Sequence, residues 1–181
     1  MLNTERLILR HWQHSDLDHL HRLCSNIDVM RYFPNIQDRA ASKQMLQRFQ
    51  NAFMWHPDYG VWALELKQTG EFVGMLGLQN CNLPFDFMPK IEILWRLLPQ
   101  FWSQGLALEA AQCVQDYALN HLRLPALTAY TSYPNLPSQR LMARLGMHPS
   151  LSFAHPMLPT HHRLSRHIAY FIKLHTSGLS D

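Results

Sequence analysis

Long apolar runs are missing from this chain. None approaches the roughly 20 residues that a membrane-spanning helix requires, so no membrane partner is expected. Cysteine is scarce: Cys24, Cys81 and Cys113 show no close pair and no metal-type spacing. A disulfide framework is therefore not expected, and a reduced, cytoplasmic compartment is the simplest reading. A charge excess is missing as well. The formal net charge of +3 is too small to argue for direct nucleic-acid binding. There are no internal repeats, and no segment is of low complexity. Thr4-Glu5-Arg6-Leu7-Ile8-Leu9-Arg10 reads as a charged strand start rather than a secretory signal. What is present is 181 residues, which fits one domain over 1–181, with 47% apolar residues to build its core. Twelve histidines make the charge rise once the pH falls below about 6.5.

The pattern along the chain predicts a strand at Leu7–Leu9. A helix follows, capped at Ser15-Asp16-Leu17-Asp18, with Leu17, Leu20 and Cys24 on one stripe. Pro34 ends that region, and a second helix starts near Asp38 with Met45, Phe49 and Phe53 along one side. Val61–Lys67 and Phe72–Leu78 flank Gln68-Thr69-Gly70-Glu71, a hairpin with glycine in its turn. Cys81–Pro89 reads as loop, and Lys90–Leu98 is a strand. Gln104–His121 is a helix by its apolar spacing, Ala126–Thr131 a strand, and Asn135–Leu145 a helix closed by Gly146. Met147–Phe153 and His167–Leu174 are the last strands, joined by a loop rich in Pro and His. Strands that precede a helix–strand–helix unit give an α+β class on a mixed, mostly antiparallel sheet. The tally is about seven strands and about four helices.

One stretch carries chemistry by its local pattern. Leu97-Leu98-Pro99-Gln100-Phe101-Trp102-Ser103-Gln104-Gly105-Leu106-Ala107 passes from an apolar strand through a short loop into a helix. Small side chains at Ser103, Gly105 and Ala107 let a ligand approach the main chain. The first helical turn supplies unpaired N–H groups and partial positive charge. Together these make a seat for a phosphate or pyrophosphate.

The order strand, Trp102-Ser103-Gln104-Gly105-Leu106-Ala107, helix, strand, then Asn135-Leu136-Pro137-Ser138-Gln139-Arg140 resembles the GNAT superfamily of N-acetyltransferases. Thr4-Glu5-Arg6-Leu7-Ile8-Leu9-Arg10, Glu92-Ile93-Leu94-Trp95-Arg96-Leu97 and Glu109-Ala110-Ala111 are similar to its RimJ/RimL, ribosomal-protein-type branch. The resemblance covers about Thr4 to Leu174. It implies acetyl-coenzyme A as co-substrate, no metal, and a splayed strand pair that forms the coenzyme A cleft. The family writes its pyrophosphate loop Gln/Arg-x-x-Gly-x-Gly/Ala. This chain keeps Gly105 and Ala107, has Trp102 in the first place, and has Ser103 where branch members often have Gly. The implied coenzyme-binding residues are Trp102, Ser103, Gln104, Gly105, Leu106 and Ala107 in the loop and helix start. Trp95, Arg96 and Leu97 lie on the strand whose backbone meets the pantetheine arm. Asn135 and Ser138 match positions that contact the arm and sulfur, and Asn135 reads equally as a helix cap.

The implied reaction is direct attack of a free amine on the thioester through a tetrahedral intermediate, whose oxyanion a backbone N–H can hold. Glu92 interrupts an apolar strand, and burial would raise its pKa toward the working range of a base. The other reading of Glu92 is a structural carboxylate paired with a cation. Many relatives carry a tyrosine acid where this chain has Met142, which cannot donate a proton. The acceptor is a protein N-terminus or a small-molecule amine, and the chain acts as a monomer or homodimer. The alternative is a non-catalytic coenzyme A-binding module of the same fold. A metal hydrolase is disfavoured because His19, His21, His161 and His162 have no ordered ligand set around them. The connection from His155 to His167 either covers the acceptor cleft or is a solvated link. Trp12, Trp55 and Trp62 read as core or rim packing.

Overall fold

The computed structural model describes residues 1–81 and 89–173. The expected loop at 82–88 and the last residue of the expected final strand, Leu174, lie outside them. Among the described residues the strands are β1 (Leu2–Asn3), β2 (Leu7–Arg10), β3 (Val61–Leu66), β4 (Phe72–Asn80), β5 (Ile91–Leu97), β6 (Ala126–Ser132), β7 (His148–Ala154) and β8 (Arg166–Lys173). The α-helices are α1 (Leu17–Ser25), α2 (Ile27–Met30), α3 (Arg39–Trp55), α4 (Leu106–Asn120) and α5 (Leu136–Arg144). The sequence pattern misses β1 and α2, which span two and four residues, because neither is long enough to show a period. The side chain of Asn26 starts α2 by accepting from the N–H groups of Asp28 and Val29.

The strands form one sheet in the order β1-β2-β3-β4-β5-β6-β8-β7. Every neighbour pair is antiparallel except β5 with β6, whose parallel pairing needs the α4 crossover. Strand β4 sits inside the sheet and is buried without interruption from Phe72 to Leu78. That explains its continuous apolar run: both faces are covered. Cross-strand partners Trp62, Leu76 and Trp95 share one face, where Tyr117 of α4 packs edge-on against Trp62 and Ser138 of α5 meets Trp95. On the other face Arg96 reaches Cys24 of α1, and Cys24 meets Met45 of α3. The sheet thus carries α4 and α5 on one face and α1 on the other, with α3 packed against α1 and its Phe53 reaching Trp62.

Two local expectations are corrected. Asp16 does not cap α1 with its side chain. It is buried, and a buried carboxylate requires a counter-charge. Arg10 supplies it with two hydrogen bonds of 2.7 and 2.9 Å, and the Gln13 N–H adds a third contact. Trp12 and Trp62 are core residues, but Trp55, at the end of α3, is 80% exposed.

Candidate active site

Strand β5 stays in unbroken register with β4 from Ile91 to Leu97. With β6 it shares a single paired position, Glu92 opposite Thr128. Beyond that pair β5 remains with β4 while β6 remains with β8 as far as Ser132, so the two diverge. The register shifts in the sheet lie at Leu64/Glu65 and Pro149/Leu151, so β5 opens without a bulge against β4. The opening leads into a cleft of about 730 Å³. Glu92, Trp95, Arg96, Leu97, Trp102, Ser103, Gly105, Leu106, Ala107, Asn135 and Ser138 all line it.

Gln104 is the exception among the expected residues. Its amide turns back to the Gln100 carbonyl at 2.7 Å, and its own carbonyl accepts from Arg6. A loop that aims its small residues at the cleft must send the alternate side chain elsewhere. Trp102 lines the cleft, with its indole N–H turned to the Leu97 carbonyl, to which it donates at 2.8 Å.

The start of α4 is shaped by backbone conformation. Gly105 is the residue before the helix, with φ of 80°, and no side chain caps the helix there. Leu106, Ala107 and Leu108, whose first-turn N–H groups no side chain caps, therefore line the cleft with the helix dipole behind them. Glu109 holds this turn in place. Thr4 donates to its carboxylate, and Arg6 adds its backbone N–H at 2.8 Å and its side chain at 2.7 Å. Desolvation alone would push the Glu109 pKa up, but the Thr4 and Arg6 contacts outweigh it and hold it below the usual value.

Ser103 also lies in the left-handed region, with φ of 59°. That conformation costs an L-residue about 1–2 kcal/mol and glycine almost nothing. Ser103→Gly is expected to raise the melting temperature by about 1–3 °C, the relief exceeding the entropy that glycine adds to the unfolded chain. A lower melting temperature in a thermal scan would show that the Ser103 side chain stabilises the loop instead.

At the mouth of the opening Asn135 caps α5, its side-chain oxygen accepting from the Ser138 N–H. Its NH₂ group donates to Thr131 Oγ1 at 2.8 Å and to Ser138 Oγ at 3.1 Å. The capping reading of Asn135 therefore holds, and most of its amide valence is engaged within the protein. Trp95 donates its indole N–H to the same Ser138 Oγ at 3.3 Å.

Glu92 sits at the inner end of the opening and is 7% exposed. The Gln79 amide, directly across the β4/β5 ladder, donates to it at 3.0 Å, and no cation pairs with it among the described residues. Burial pushes its pKa up to about 7, with the Gln79 hydrogen bond opposing. Met142 lies against the cleft but is only 2% exposed.

Alternation places Thr128, Tyr130 and Ser132 on the Glu92 face once β5 and β6 are paired. Tyr130 was not anticipated from sequence. Its phenol pKa is raised, first by burial and then by the Glu92 charge, so the hydroxyl stays a donor. Its ring meets Phe153, His155 and His167, and burial lowers the pKa of both histidines. The connection rich in Pro and His does more than link strands. Leu164 in it is fully buried, and His155, Leu158 and Leu164 line the cleft. Arg163 donates to the Arg31 carbonyl at 3.0 Å, which closes the wall against the segment after α2.

Residues 6–148 match the family described as Acetyltransferase (GNAT) domain. The protein YkkB of Bacillus subtilis is 30% identical over 150 residues, covering 81% of this chain and 84% of that protein. An acetyltransferase of the GNAT family from Bacillus anthracis has the same fold, with a TM-score of 0.78 at 24% identity over 95% of this chain and 97% of that one. A structure of RimL, a ribosomal L7/L12 alpha-N-protein acetyltransferase in complex with coenzyme A, has a TM-score of 0.76 at 14% identity, covering 94% and 96% of the two chains. With an acetyltransferase domain matched over most of its length and a sheet that splits where such a domain needs a cleft, this chain belongs to the GNAT family.

Proposed function

We propose that this chain moves an acetyl group from acetyl-coenzyme A to a primary amine, as a RimJ/RimL-like member of the family. The observation that carries the reading is the placement of Glu92. A buried carboxylate with a pKa near neutrality stands at the head of a sheet opening whose far end is an uncapped helix N-terminus. The loop from Ser103 to Ala107 and the first turn of α4 would hold the pyrophosphate by main chain. The free edge of β5 from Trp95 to Leu97 would pair with the amides of the arm.

Glu92, half ionised near neutral pH, takes a proton from the ammonium directly or through water. The free amine then attacks the thioester carbon, and an N–H on the diverging strand holds the oxyanion. A thiol pKa of about 8.5 lets the sulfur leave with little acid help. Ser138 Oγ accepts from Trp95 and Asn135, which leaves its own proton available to the departing sulfur. The acceptor is a protein N-terminus, as the RimL neighbour's title states for that protein, or a small amine.

The test is release of free thiol from acetyl-coenzyme A over a panel of peptides and small amines, with mass detection of the acetylated product. Acceptor-dependent release is expected. Tight coenzyme A binding without release on any acceptor would instead establish a binding module of this fold.

A further inference from the structure

Arg96 carries a half-buried guanidinium that pairs with no carboxylate among the described residues. The ion pairs among the described residues use Arg6, Arg10 and Arg39. Arg96 instead directs Nη1 at Cys24 Sγ, 3.1 Å away, and stacks its guanidinium 4.2 Å from the centre of the Phe33 ring. A thiol is a weak acceptor and a ring face is no anion. The Nε–H of Arg96 is buried and has no partner. A cation with its Nε–H covered and unpaired gains from a nearby negative charge.

The surroundings show where that charge would come from. Arg96 shares its sheet face with Glu92 and Leu94, opposite to the face that carries α5, and it lines the same cleft as Glu92. Ser132 Oγ, also buried and unpartnered, lines that cleft from the β6 side. The third unpartnered buried atom, Gln37 Oε1, belongs to a residue outside the cleft wall. With Nη1 committed to Cys24 and Nε covered, Nη2 is the donor left to meet an anion from the cleft. Asp28 lies on the same wall, but it is exposed at the rim, where solvent screens it.

We propose that Arg96 is the anion-binding subsite of the acceptor, so that the amine acetylated here belongs to a short peptide-like molecule carrying a carboxylate. This rests on the acetyl-transfer reading above. Glu92 and Arg96 are four positions apart on the strand, roughly 13 Å between α-carbons at ~3.3 Å per residue. An extended peptide advances ~3.3–3.6 Å per residue, so that span corresponds to between about three and four residues from the reacting amine to the carboxylate. Acceptors with a second cationic group at that distance are disfavoured, because they would meet the guanidinium.

The experiment compares kcat/KM for three tripeptides: Ala-Ala-Ala with a free C-terminus, the same peptide as its C-terminal amide, and Ala-Ala-Asp as its amide. The last separates a side-chain carboxylate from a terminal one. In the wild type at least one carboxylate peptide is expected to exceed the neutral amide by about tenfold or more. In Arg96→Gln the ratio is expected to fall to within about twofold, and Arg96→Lys to keep an intermediate preference. A ratio does not depend on the fraction of enzyme that is folded. A wild-type ratio near one, or a ratio unchanged in Arg96→Gln, overturns the assignment. If the wild type acetylates no amine at all, the acetyl-transfer reading fails separately. Calorimetric binding of the free-acid and amide tripeptides to the coenzyme A-loaded protein then decides the subsite. The same carboxylate preference, lost in Arg96→Gln, supports it, and equal binding overturns it.

Discussion

Glu92→Gln is expected to lower acetyl transfer on the order of a hundredfold or more, with coenzyme A binding nearly unchanged. The carboxylate lies on the face that carries Arg96 and Tyr130, away from α5 and Ser138, so its loss removes the base without disturbing the coenzyme side. Wild-type kcat/KM at limiting acceptor should rise through pH 7 as Glu92 ionises. The variant should lack that limb and recover only as the pH approaches the acceptor's own pKa, where free amine no longer needs enzymatic deprotonation. A variant with wild-type turnover across that profile would return Glu92 to a structural role. Inserting tyrosine at Met142 is a weaker probe, because that side chain is 2% exposed and a larger ring would overpack its site.

The same substitution has a stability signature of opposite sign. Burial raises the folded-state pKa of Glu92 from the usual 4.5 to about 7. Between these values the folded chain binds the proton more tightly than the unfolded chain, so stability falls as pH rises through the window. Above pH 7 the loss is complete, on the order of 3 kcal/mol if the whole shift is expressed. Glutamine does not titrate and escapes it. Glu92→Gln should therefore melt several degrees above wild type at pH 8 and close to it at pH 4.5. A destabilised variant at pH 8 would mean that the Gln79 contact outweighs the desolvation of the charge.

These residues also mark how far the sequence could be read. The proposed phosphate seat was legible because strand, loop and helix start are contiguous from Leu97 to Ala111, and Glu92 because a carboxylate stands out in an apolar strand. The partners of Glu92 were not. Gln79 is thirteen positions away and Tyr130 lies beyond α4, so only the pairing of β5 with β4 and β6 brings them together. Thr4-Glu5-Arg6 and Glu109-Ala110-Ala111 were each visible as motifs, but nothing local says that Thr4 and Arg6 clasp Glu109. Ser103 was visible as a departure from glycine, yet its left-handed backbone runs against its own preference and had to be seen. Trp55 misled in the other direction: aromatic character predicts packing, but its place on the last turn of α3 leaves it in solvent.

Gly105→Glu is expected to abolish coenzyme A binding, a loss of about a hundredfold or more for like charge placed at the proposed phosphate seat. Three consequences of the geometry act together. The backbone at φ of 80° strains any side chain, by about 1–2 kcal/mol. The new carboxylate would enter the space before α4, whose uncapped first turn lines the cleft. Its Cβ would lie 3.4 Å from Arg6 Nη2, so the carboxylate would also compete with Glu109 for Arg6 and loosen the clasp on the first turn. Gly105→Ala separates these effects, since it carries the same strain with neither charge nor reach, and is expected to keep most of the affinity. A truncated donor, S-acetylpantetheine, lacks the pyrophosphate. Wild type and Gly105→Glu should use it equally poorly, so that the difference between them appears only with the full nucleotide. Coenzyme A bound by Gly105→Glu as tightly as by wild type, measured by calorimetry, would place the phosphates elsewhere. Equal losses in the alanine and glutamate variants would make backbone strain, rather than charge, the reason the loop needs glycine.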